Sequence, residues 1–79
     1  MALPHSEDFL LDLTRMIKED ALATKHAYLE ANITDKVFLQ GKLLAYNEVL
    51  STIRNQVVAF GFSLRDFGLD QFGPDRDLI

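Results

Sequence analysis

The chain has 79 residues, 48% hydrophobic and 25% charged, which suits one small folded domain and leaves no room for two. A net charge of −4 argues against a sequence-independent grip on nucleic acid or an anionic membrane surface, since both need clustered Lys and Arg. There is no Cys, so disulfides, zinc–thiolate sites and thiol chemistry are excluded.

Residues 1–5 (Met1-Ala2-Leu3-Pro4-His5) show no basic stretch leading into an apolar one, and no run elsewhere approaches the ~18 apolar residues of a membrane span. A flexible N-terminus and a cytoplasmic location are the expectation. From Ser6 to about residue 31 the chain reads as a helix. Ser6 is a good N-cap, with Glu7 and Asp8 in the first turn at the positive end of the dipole. Leu10, Leu13, Ile17, Ala21, Thr24, Tyr28 and Ala31 recur in steps of three and four along one face.

Asn32-Ile33-Thr34 reads as the break, with Thr34 or Asp35 capping a second helix that runs from 35 to about 60. Leu39, Leu43, Tyr46, Leu50, Ile53, Val57 and Phe60 alternate steps of four and three, a heptad seam over about three repeats. Gly61 follows as a natural left-handed C′ residue, with Phe62 next to it for the accompanying hydrophobic contact.

So short a connection predicts an antiparallel hairpin in which facing residue numbers add to about 67. That sum pairs Thr24 with Leu43, Ala21 with Tyr46, Ile17 with Leu50 and Leu13 with Ile53. The small residues of the first helix then meet the large residues of the second, as a packed interface requires. Each helix also carries a second apolar stripe: Phe38, Ala45 and Val49 on one, Phe9, Met16 and Ala23 on the other. A lone hairpin leaves these stripes in water, and a chain below ~80 residues rarely has stability to spare. The expectation is self-association, most simply a twofold dimer forming a four-helix bundle. Gly41 and Ala45, four residues apart, are expected to form a smooth patch for close helix approach.

Residues 61–79 are expected to be an irregular tail rich in Phe and Gly. Phe62, Phe67 and Phe72 are spaced by five, which fits neither helix nor strand. Phe67-Gly68-Leu69-Asp70 is echoed by Phe72-Gly73-Pro74-Asp75, and Ser63 is placed to cap a short turn. A tail this apolar either folds back over the bundle or docks its aromatic residues on a protein partner.

The remaining chemistry is sparse, and neither catalytic residues nor cofactors are assigned. His5 precedes the first helix. His26 and Glu30 sit one turn apart, which suits a solvated pair better than a metal site. Glu48 is followed three residues later by Ser51, and Glu19 by Leu22, so the Glu-x-x-His step of a di-iron bundle is missing. Asp66-Phe67-Gly68 spells a kinase triplet without the rest of a kinase, and Gly41-Lys42 lacks the rest of a phosphate loop. The outline resembles small secreted hairpins of the WXG type, but the turn here lacks Trp-x-Gly. It is also similar to encapsulated ferritin-like hairpins, without their metal ligands. The expected protein is an all-α, non-enzymatic oligomerisation or interaction module. The alternative is a ligand- or metal-binding bundle with an intersubunit pocket near Tyr46, Tyr28 and His26.

Overall fold

The computed structural model describes residues 6–79; the expectations for residues 1–5, His5 among them, lie outside the described part. Two long helices, α1 (Ser6–Glu30) and α2 (Ile33–Ala59), pack as an antiparallel hairpin, and a short third, α3 (Pro74–Leu78), follows the tail. At 1.5 Å per residue the long helices measure about 38 and 40 Å. No helix among the described residues is long and apolar enough to cross a membrane.

The turn is tighter than the sequence predicts. Only Ala31 and Asn32 lie between the helices, and the N-cap of α2 is Asn32, not Thr34 or Asp35. The Asp35 N–H donates to the Asn32 Oδ1 at 2.8 Å, which satisfies one of the free donors of the first turn. Asp35 thereby falls inside that turn, where a carboxylate suits the dipole. The other end follows the sequence closely. Gly61 takes φ +76°, the Gly61 N–H donates to the Val58 carbonyl at 3.0 Å, and the Phe62 N–H to the Val57 carbonyl at 2.9 Å. This pair of bonds is a Schellman cap, which uses two otherwise unpaired carbonyls and turns the chain back along the hairpin.

The packing stripe of α1 is built from small side chains. Thr14, Ala21 and Thr24 are buried, with Ile17 and Tyr28 half-buried beside them. Against them α2 sets Leu43, Leu50 and Val57, spaced by seven. Residues sharing a recess confirm the facing order: Ile17 lies by Tyr46 and Val49, and Thr24 and Ala27 lie by Leu39 and Lys42. Their numbers add to about 67, the value expected for this hairpin.

The tail is ordered turn by turn. Ser63 Oγ accepts from the Asp66 N–H at 3.4 Å, and one turn runs to Gly68 at φ +71°, where the Leu69 N–H donates to the Leu64 carbonyl at 2.8 Å. Gly73, the counterpart of Gly68 in the sequence echo, is instead extended at φ −113° and caps α3, with Pro74 in the first turn. The repeated letters therefore adopt two different backbones. Leu69, Phe72 and Leu78 enter the same apolar cluster as Ala21, Leu43 and Leu50. Lys18 holds the tail from α1, donating to the Gly68 carbonyl at 2.7 Å with its ammonium 5.5 Å from the Phe72 ring centre. On α2, Asn47 Nδ2 donates to Asp75 Oδ1 at 2.7 Å.

Leu78 is as deeply buried as Leu50, so truncating either has the same kind of cost. Leu78→Ala is expected to lower global stability by about 2–5 kcal/mol, in the range of Leu50→Ala, measured by urea unfolding. An unchanged midpoint would show that the tail is ornament. Asp77 adds a pH dependence. Hydrogen bonds from Arg76, then from the Gly73 N–H, hold its carboxyl below the ordinary range. A depressed folded value stabilises fully above the unfolded value of about 4, and the effect fades as pH falls through the folded one. Protection of the Gly73 amide, taken as exchange relative to an unfolded peptide at the same pH, is expected to fall below about pH 4, and Asp77→Asn to remove that dependence.

Candidate functional site

The hairpin has two sides, and the tail covers one. On α2, Asn47 holds the tail, and Gln56, nine residues on, points the opposite way after two and a half turns. On α1, Lys18 and Ala27 stand in the same relation. Gln56 and Ala27 line recesses on the opposite side, where the tail contributes Phe62 and Phe67 at the mouth end. Three such recesses follow one another along the helices there.

The largest, about 510 Å³, opens at the mouth of the hairpin, the end away from the turn. Leu10 and Leu13 form one wall, Ile53, Val57 and Phe60 the other, and Phe62 and Phe67 close its end with their rings 5.8 Å apart. Thr14, Thr52 and Gln56 are its polar lining. Further along, Ile17, Ala45, Tyr46 and Val49 share a shallower recess, and Asp20, Ala23, Ala27 and Lys42 lie around the next. Phe9, Phe38 and Phe60 on this face are 66, 68 and 73% exposed. With Leu13, Met16 and Val49, their side chains present roughly 700 Å² of apolar surface, taking ~200 Å² for a phenylalanine. Asp20 and Lys42 are the charges on it.

The residues singled out in the sequence thus divide into two groups. Leu43, Leu50 and Val57 are buried within the chain, and Ile17, Leu39, Tyr46 and Ile53 are half-buried along the seam. Leu10, Leu13 and Phe60 belong to the same periodic pattern but stand exposed at the mouth groove. Gly41 and Ala45 are exposed on the open face, and a Cβ built at Gly41 meets nothing within 4 Å. Of the three tail aromatics, Phe72 is buried in the chain's own core, Phe67 is half-buried and Phe62 is partly exposed. Phe72 is therefore not free to anchor in another protein.

Tyr28 lies between two ammonium groups, Lys25 and Lys36, at 5.2 and 5.4 Å from its ring centre. His26 is two residues away, on the far side of α1, and pairs with Glu30 at 3.4 Å. Tyr28 and His26 therefore project from opposite sides of α1 within one chain. No group of three or more His, Asp or Glu placed to hold a metal ion occurs among the described residues. Arg15 is engaged by Asp12 and Glu19 on the wet face.

Three features lie beyond the reach of the sequence pattern. Thr14 is buried where the pattern predicts Leu13; its only signal is the spacing of seven to Ala21 and Tyr28. Lys18 and Asn47 bind the tail through partners far away in the sequence, which no periodicity reveals. No family model, curated protein or solved structure matches the chain.

The division between core and open face is directly testable. Leu13→Asp and Phe60→Asp are expected to keep the helical circular dichroism of the chain, whereas Val57→Asp, which puts a carboxylate into a buried position, is expected to abolish it. Loss of helicity in all three would erase the distinction.

Proposed function

We propose that this chain is a non-enzymatic, self-associating helical module, a scaffold or adaptor whose working surface is the open face of the hairpin. The observation that carries the reading is the asymmetry of cover. The tail shields one side of the α1–α2 pair, and the other side leaves Leu13, Met16, Val49 and Phe38 exposed among the described residues, with Phe62 and Phe67 reaching in at its mouth end. So much exposed apolar surface gathered on one face is large for a free monomer and suits an interaction surface.

A twofold pair of hairpins, face to face, makes a four-helix bundle whose outer sides are closed by the two tails. This arrangement uses the one surface twice and closes on itself. The apolar surface of roughly 700 Å² is close to the ~800 Å² that each partner contributes to a standard interface. Gly41 supports the same reading. Glycine inside a helix costs about 1 kcal/mol relative to alanine, and no described residue fills the space beside it. Close approach of a second helix gives that cost a purpose. The titratable groups paired on the wet faces, Arg15 with Asp12 and Glu19 and His26 with Glu30, act as solvation rather than chemistry.

Sedimentation of the full chain tests this. The wild type is expected to run as two chains at micromolar concentration, and Ala45→Arg, at an exposed position, to run as one chain with its helicity retained. A wild type that stays folded and single at high concentration would overturn the proposal.

A further inference from the structure

Resting on the self-association just proposed, we infer that the two hairpins pair antiparallel through α2, with Phe38 of each copy seated in the mouth groove of the other. Phe38 and Gln56 are 18 residues apart, which is five whole turns, so they project from the same side of α2 about 27 Å apart. Gln56 lines the mouth groove, while Phe38, near the turn, stands 68% exposed. The face is thus concave at one end and carries a large protruding ring at the other. A twofold axis across the helices brings each end onto its opposite.

If Phe38 lies over Gln56 of the second copy, facing residues of the two α2 helices have numbers that add to 94, with the axis at 47. Ala45 then meets Val49, while Gly41 and Ile53 come to the same level on opposite flanks of the face. The hairpin register carries the axis to about residue 20 on α1, where facing numbers add to about 40. Leu13 meets Ala27. On each helix a small residue faces a larger one, Ala45 with Val49 and Ala27 with Leu13, although the match of Phe38 to the groove alone set the register. A twofold axis along the helices does the reverse: it sets groove against groove and leaves the cavity of about 510 Å³ in each copy without a filler. The one unfavourable meeting in the antiparallel pair is Asp20 with its own copy at the axis. Lys42 borders the same recess as Asp20 and supplies the opposing charge.

The absence of Cys makes the test clean. Lys42→Cys and Thr52→Cys, made as separate chains, mixed and treated with a short bismaleimide, are expected to link to each other. Phe60→Cys alone is expected to give no linked dimer. Within one chain, positions 42 and 52 are about 15 Å apart along α2, so the link reports a neighbour. Asp20→Asn is expected to tighten the dimer severalfold, and Phe38→Ser to weaken it by about tenfold or more. A dimer that links through Phe60→Cys but not through the 42/52 mixture, or one indifferent to Asp20→Asn, would overturn the antiparallel arrangement and leave the self-association standing. A chain that sediments singly at all concentrations would overturn both.

Discussion

Two parallel rods meet along a line, and a line of contact leaves two grooves, one on each side. Everything else in this protein answers to that geometry. Among the described residues the tail fills one groove, and it reaches the other at the mouth end through Phe62 and Phe67. Burial of a large apolar side chain is worth ~1.5–3 kcal/mol, so a filled groove contributes as much as the helix seam itself. Leu69, Phe72 and Leu78 supply that filling without belonging to a long helix. The hairpin is therefore a two-helix frame with a third, irregular layer on one side.

Much of this arrangement is legible in the sequence because helix periodicity is local. The α2 seam from Leu39 to Val57 repeats without error, and Gly61 marks its end by the one conformation that alanine would resist. The hairpin register is readable too, since volumes on the two helices complement each other. What stays hidden is whatever depends on distant partners. The spacing of the Phe residues gives no period, so it announces neither the burial of Phe72 nor the α3 turn. Burial against the two helices, with the bonds from Lys18 and Asn47, fixes that segment. Leu10 and Phe60 obey the periodic pattern, yet periodicity names a side of a helix and not what covers it.

The candidate surface is legible in outline only. The second apolar stripe and the Gly41–Ala45 patch point to an associating side. The concavity at the hairpin mouth emerges only in three dimensions, because it depends on Thr14 taking the buried position and on Phe62 and Phe67 closing the groove from beyond the Gly61 cap. A single glycine cap thus shapes both sides of the molecule: it sends the tail over one groove and parks two aromatic rings at the end of the other.

That joint has one more consequence. The tail leaves α2 through Gly61, and its bonds to Lys18 and Asn47 are indifferent to which copy supplies those residues. Opening the joint would hand the strap to a neighbouring hairpin, where the same bonds form again, an exchange of arms between copies. Tethering alone keeps it at home. So short a leash corresponds to an effective concentration in the millimolar range, and in more dilute solution each chain closes on itself.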